Sequence, residues 1–269
     1  MKQKTKVLTL IVFGLLFLNL SAQEGDFSSD PVAKLPDSDR KFRFGLQFSP
    51  NISWFKTNTT GYESEGAKLG FSYGLSFEYF MTKNYLFSMG LSILNSGGEL
   101  AYTGIGYQIY SVEVQEKIKL KYVEIPLLLK LRTNEIGYLT YFGQFGLKGG
   151  INFSGKSSFT YSDATTNGFT IIPTNGSLLA DDTEYDAQIN WVNLSLVIGA
   201  GVEYNISGNT SLTLGITYNN GFVNQLDTKT HVLDSNGDVL IDGNGNAVFS
   251  EKDASANLNY IALNIGIYF

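Results

Sequence analysis

Residues 68–79 read Lys-Leu-Gly-Phe-Ser-Tyr-Gly-Leu-Ser-Phe-Glu-Tyr. Leu69, Phe71, Tyr73, Leu75, Phe77 and Tyr79 alternate with Lys68, Gly70, Ser72, Gly74, Ser76 and Glu78. A period of two is the signature of a β-strand. The two faces are unequal in an informative way: one is large and apolar, the other small or polar throughout. A soluble sandwich turns its apolar face inward and sets bulky polar groups outside. Gly and Ser on the second face suit the tight interior of a narrow barrel, with the apolar face turned to lipid.

The same pattern extends in both directions. Phe42, Phe44, Leu46 and Phe48 alternate with Arg43, Gly45, Gln47 and Ser49 until Pro50, which reads as the end of a first strand. Further strands fall at 85–93, 117–132, 138–153, 189–204, 210–219 and 258–269. The connections alternate in length. Residues 81–84, 133–137 and 205–209 are short, whereas 51–67, 95–116, 154–188 and 220–257 are long and polar. Tight turns on one side and long loops on the other is the outer-membrane arrangement. The expected fold is all-β: an eight-stranded antiparallel up-and-down transmembrane β-barrel, with both termini on the periplasmic side.

The N-terminus agrees with export. Lys2, Lys4 and Lys6 precede an apolar run from Val7 to Leu20, and Ser21, Ala22 and Gln23 supply a cleavage region. Residues 1–23 therefore read as a signal peptide, 24–40 as a flexible periplasmic lead-in and 41–269 as the barrel domain. Losing the three signal lysines leaves 16 basic residues against 25 acidic ones, a charge of about −9 that argues against nucleic acid as a partner. The chain has no cysteine, so stability falls to backbone pairing and packing. No stretch after the signal is a continuous apolar run long enough for a spanning helix, which leaves a closed barrel as the way across a bilayer.

One strand is irregular. Ile118, Leu120 and Tyr122 occupy even positions, whereas Val123, Ile125, Leu127, Leu129 and Leu131 occupy odd ones. A bulge near 122–126 would account for this phase switch and for Pro126. Alternatively the phase never slips, and Lys117, Lys119 and Lys121 point outward above the membrane, level with lipid phosphates.

Here the sequence resembles a family. Tyr122-Val123-Glu124-Ile125-Pro126-Leu127-Leu128-Leu129-Lys130 is similar to the Tyr-x-Glu-Ile-Pro-Leu-x-x-Lys segment of PorT-like outer-membrane β-barrel proteins of Bacteroidetes. The Ser-Ala-Gln signal end and the terminal Ile267-Tyr268-Phe269 fit as well. The resemblance covers about residues 41–269 and implies an eight-stranded outer-membrane barrel. It does not transfer the founding member's role in protein secretion, because fold does not set activity.

Inward positions carry seven charges: Arg43, Lys130, Arg132 and Lys148 against Glu78, Glu124 and Glu203. In so narrow a lumen they must pair or stay hydrated. They read as a structural network filling the interior, with a proton or ion path as the competing reading. Arg43 and Glu78 are expected to meet directly or through one water, within a network that includes Lys130 or Glu203. Phe269 ends an alternating strand and reads as an assembly signal for the barrel assembly machinery.

Chemistry-bearing motifs are few. His231, near Asp227 and Asp234, reads as a solvated loop residue rather than part of a catalytic set. Asp234-Ser-Asn236-Gly-Asp238 and Asp242-Gly-Asn244-Gly-Asn246 suggest calcium, but Val239 and Ala247 stand where an EF-hand needs glycine. Asn-Gly and Asp-Gly favour turns, so 230–250 reads as a β-hairpin above the membrane. Tyr79, Phe80, Tyr85, Tyr138 and Tyr204 adjoin the short turns as a periplasmic aromatic girdle, and Trp54, Trp191 and Tyr218 lie away from them.

The expected function is a non-enzymatic barrel without cofactor or metal. It contacts outer-membrane lipid and meets a protein partner through its external loops. Two other readings compete with it: a barrel enzyme acting on lipid or peptide, and a soluble exported barrel holding a small apolar ligand.

Overall fold

The computed structural model describes residues 41–105, 111–161, 164–166, 169–171 and 180–269. The signal peptide and lead-in expected at 1–40 lie outside the described residues. The strands are β1 (Phe42–Thr57), β2 (Tyr62–Phe80), β3 (Tyr85–Ile105), β4 (Ser111–Arg132), β5 (Leu139–Tyr161), β6 (Ala164–Thr166), β7 (Phe169–Ile171), β8 (Ala180–Asp186), β9 (Val192–Ser207), β10 (Thr210–Asn224), β11 (Lys229–His231), β12 (Phe249–Asp253) and β13 (Ala256–Tyr268). Eight of them, β1, β2, β3, β4, β5, β9, β10 and β13, follow one another around a closed antiparallel sheet. β13 pairs with β1 to seal it, and β8 adds to the far end of β5. Closure leaves no open edge in the barrel wall, as a lipid environment requires.

The outward face is a continuous apolar belt. Leu69 is 78% exposed, and Phe44, Leu75, Tyr141, Ile198, Ile216 and Ile261 stand beside it around the circumference. A belt of this extent far exceeds the apolar patches of soluble monomers; its solvent is lipid. That overturns the soluble-barrel reading. Tyr79, Tyr85, Tyr138 and Tyr204 are exposed near the short turns, and Trp54 stacks on Tyr218 at the other rim. Phe80 departs from the expected girdle: it turns toward the lumen, where Arg43 and Arg132 approach its ring at 5.4 and 5.5 Å.

The strands are longer than expected. β1 runs through Pro50 to Thr57, and β3, β4 and β5 contain 21, 22 and 23 residues. A tilted strand crosses a bilayer in about 9–11 residues. The segments read as long loops at 51–67 and 95–116 are therefore largely barrel wall that continues past the lipid, as are residues 154–161 at the start of the third.

β4 has no bulge at 122–126. Its even residues face inward along the strand, from Val114 through Ile118, Leu120, Tyr122 and Glu124 to Lys130. Pro126 is absorbed without a register change. The β3–β4 ladder keeps one register on both sides and lacks its contacts only opposite Gly90 and Leu91. The real slip is one strand over, where Tyr122 pairs with Asn152 and Lys121 with Ser154, leaving Phe153 as the extra residue.

What changes at Tyr122–Val123 is the surroundings. Between there and the short turns, apolar side chains point out to lipid. On the other side they point in, and lysines point out to water. The same inversion occurs in β1 between Ile52 and Phe55, and in β3 between Ile93 and Leu94. These positions trace the rim of the lipid belt.

Candidate functional site: a lumen closed at two levels

Arg43 and Glu78 are direct cross-strand partners on β1 and β2. The Arg43 Nε donates to Glu78 Oε2 at 2.5 Å, and its terminal nitrogens donate to Glu203 on β9 at 2.6 and 3.1 Å. Lys130 on β4 bridges the same two carboxylates, at 3.0 Å to Glu78 and 2.5 Å to Glu203. Two cations and two anions thus alternate around a square that ties four strands together. Arg132 approaches Glu203 at 3.5 Å. Tyr268 and Phe142 supply the walls: Arg43 lies 4.6 Å from the Tyr268 ring centre and Lys130 4.0 Å from that of Phe142. Glu78 is 1% exposed. Pairing and ring faces together compensate for desolvating these charges.

Glu124 and Lys148 form a separate group deeper in the barrel, 3.5 Å apart. The Tyr260 hydroxyl donates to Glu124 at 3.0 Å and accepts from Lys148 at 2.9 Å. Between the two groups lies a cavity of about 60 Å³, lined by Ser, Thr, Asn and Gln side chains together with Leu128, Phe142 and Val197, and large enough for a few waters.

Above Tyr260 the character changes. Phe55, Leu94, Leu100, Ile118, Leu120, Tyr122 and Leu258 are buried together, joined by Leu226 from the connection after β10 and by Ala187 and Ile189 from the one before β9. Ile189 and Leu226 bridge these two connections. Tyr122 donates its hydroxyl to Gln225, which in turn donates to Asn193 at 3.1 Å. The sequence reading assigned the inward face to small and polar residues and missed this apolar core. Its signal is Ile118, Leu120 and Tyr122, which an unbroken phase along β4 turns inward while Lys117, Lys119 and Lys121 turn outward, the second of the two readings given above. At its top Glu116 accepts from Ser157 at 2.5 Å and from Tyr102 at 3.3 Å. Burial nevertheless pushes its carboxyl above the usual range. Burial beside Glu116 pushes the Tyr62 phenol up to about 12.

The 230–250 segment is more compact than a hairpin. Leu240 donates to Val232, Val232 to Val248 and Val248 to Leu240, closing three short stretches eight residues apart into a triangle. The corners are two equivalent turns. Asp234 Oδ1 accepts from the amides of Asn236 and Asp238, and Asp242 Oδ1 from those of Asn244 and Asn246, at 2.8–3.0 Å. Gly237 and Gly245 take φ values of 87° and 83°, open to glycine at little cost. The acid pattern that suggested calcium is thus used by backbone amides, which hold the Asp242 carboxyl below its usual range. The His231 ring lies tilted by 33° against Phe249 at 4.8 Å between centres, and among the described residues its buried Nδ1 has no hydrogen-bond partner.

A closed barrel of eight strands, with an apolar exterior belt and a charged, side-chain-filled interior, defines an integral membrane β-barrel. Residues 22–227 match the model of the outer membrane protein beta-barrel domain; the chain belongs to that family, and its membrane is the outer membrane. Among solved structures it is similar to Neisserial surface protein A (TM-score 0.38, 12% identity, 84% of this chain and 95% of that one). It is also similar to Ail, the attachment invasion locus protein of Yersinia pestis (0.35, 14%, 86% and 100%), and to the outer membrane protease OmpT of Escherichia coli (0.35, 8%, 90% and 99%). No curated protein matches the sequence.

Proposed function

We propose that this protein is a non-conducting, non-enzymatic outer-membrane barrel that displays a rigid surface to the cell's exterior. The observation that carries the reading is the lumen, obstructed first by the Arg43–Glu78–Lys130–Glu203 square and again by the core around Phe55 and Leu120. The first obstruction is built from the wall itself and the second from wall residues capped by Leu226, Ala187 and Ile189, so opening a path would break the barrel's own packing. In this reading residues 1–23 direct export, the short turns and both termini face the periplasm, and the extended β3–β5 wall with the 229–253 segment faces outward to meet a partner. The seven lumen charges act as structural fasteners. Among the described residues no acid or nucleophile hydrogen-bonds to the buried Nδ1 of His231, whose ring packs against Phe249, whereas hydrolysis by a histidine would need one. Purified barrel in planar bilayers should give no steady conductance. Stable single-channel steps from the wild-type protein would overturn the reading.

A further inference from the structure

We propose that the outward lysines of β4, with Lys68 and Lys156, form a site for the phosphate groups of an outer-leaflet glycolipid. The proposal rests on the orientation given above, with the extended wall outside the cell.

Lys117, Lys119 and Lys121 occupy successive outward positions on β4, directly beyond Val123, where the lipid-facing apolar run ends. Lys156 on β5 is the cross-strand partner of Lys119. Lys68 on β2 lies over Gly97, the partner of Lys119 on β3: a Cβ at Gly97 would come within 3.1 Å of the Lys68 chain and 2.0 Å of the Ile118 carbonyl. Five of the fourteen lysines and arginines between residues 41 and 269 therefore gather on one patch of a chain that is acidic as a whole. Soluble-protein logic gives no reason for two lysines to stand opposite each other in a ladder, since like charges there are destabilising.

Carboxylates temper the patch but leave it unfilled. Lys117 pairs with Glu99 at 3.4 Å, Lys156 with Asp186 at 2.7 Å, and Lys119 with Glu184. These pairs are exposed, and such pairs are worth little. A doubly charged phosphate can displace them. Among the described residues Lys121 has no carboxylate within salt-bridge distance, and it is the lysine nearest the apolar belt. Its neighbours Ile93, Val123 and Phe153 offer hydrocarbon for acyl chains directly beneath the ammonium group. An anion held at this height with its chains lying down the wall is amphipathic: a membrane lipid with a phosphorylated headgroup. Lysines just outside a bilayer attract anionic headgroups with energies that add along the row.

The test uses the full-length protein folded in detergent, with native mass spectrometry reading the lipid retained. The probes are diphosphorylated lipid A, the same lipid after phosphatase treatment, and inorganic phosphate. Wild type should retain the phosphorylated form at least 10-fold better than the dephosphorylated one. Lys117→Gln/Lys119→Gln/Lys121→Gln should erase that preference, and Lys83→Gln at a short turn should keep it. Heat-dependent gel migration verifies that each variant is folded. Lys121→Gln alone, which breaks no ion pair, should lose several-fold and stands in if the triple variant does not fold. Equal retention of both lipids, or by the folded triple variant, would overturn the site. Competition by millimolar inorganic phosphate would reassign it to a soluble anion. The orientation is read separately. The chain has no cysteine, so Asn236→Cys should react with an impermeant maleimide on intact cells; lipid binding without that labelling would overturn the placement in the outer leaflet.

Discussion

Glu78 faces Arg43 across one ladder rung and Lys130 across the lumen, so a single carboxylate ties β1 and β2 to β4. Removing it leaves two buried cations to share Glu203. Loss of one member of a buried pair costs about 3–5 kcal/mol, and the water-sized space above the square reduces that figure. Glu78→Gln should lower unfolding stability in lipid vesicles by about 2–3 kcal/mol while bilayers containing it stay silent. A conductance appearing in Glu78→Gln would show that the square is a gate rather than a fastener.

The apolar core should behave like that of a soluble protein. Phe55 is fully buried among aliphatic side chains, and Phe→Ala in such places costs about 3–5 kcal/mol. Phe55→Ala should fall in that range by urea titration. Leu75→Ala, on the lipid face of β2, should cost clearly less because lipid fills the space it vacates. Equal losses would mean the core is not packed as described.

Glu116 sets a pH dependence outside the membrane. Its carboxyl holds a proton more tightly folded than unfolded, because burial outweighs the hydrogen bonds from Ser157 and Tyr102. The stability tied to that proton is complete below the unfolded carboxyl value and is lost as pH rises through the folded one. Glu116→Gln should remove this loss and leave the variant more stable than wild type at neutral pH. Parallel stability curves for the two proteins from pH 4 to 8 would contradict the assignment.

The two aspartate turns predict calcium indifference. Proteolysis of the 229–253 segment should be unchanged by millimolar Ca²⁺. It should quicken in Asp242→Ala, and in wild type as pH drops through the lowered Asp242 value, since protonation weakens acceptance from the Asn244 and Asn246 amides.

Phe269 donates its amide to Phe44 and leaves its ring exposed beside the lipid belt. Deleting it removes one closing hydrogen bond and a lipid-facing ring at the seam. Assembled, heat-modifiable barrel should fall several-fold while export continues; unchanged assembly would rule out a signal role.

The lipid-spanning part of this fold was legible because lipid demands a single rule, apolar out and small or polar in, and β2 obeys it for the eleven residues from Leu69 to Tyr79. The expectation that Arg43 and Glu78 meet followed directly from that parity. Beyond the lipid the rule reverses, and a reading that assumes one rule takes reversal for irregularity. Ile118, Leu120 and Tyr122 suggest a bulge under that rule, whereas the competing reading, an unbroken phase with Lys117, Lys119 and Lys121 outward above the membrane, is the one the structure bears out. Pro50 misled for a different reason. A proline at an outward position can sit in a ladder without a bulge when its neighbour strand forgoes a contact. Strand direction also sets Lys130 and Glu203 at the height of Arg43 and Glu78, as members of one network; that each cation bridges both carboxylates depends on side-chain geometry between strands and is not legible in local pattern.

The lysine-bearing extension of β3–β5 has a kinetic consequence. In the orientation proposed above, to leave the bilayer the barrel must drag Lys117, Lys119 and Lys121 back through hydrocarbon, at about 2–4 kcal/mol each near the midplane. It must also expose the core that formed once they had crossed. Exit has to lift all of this at once. The wall therefore works as a ratchet, and the barrel's residence in the membrane is set by that barrier rather than by the equilibrium strength of any contact in the lumen.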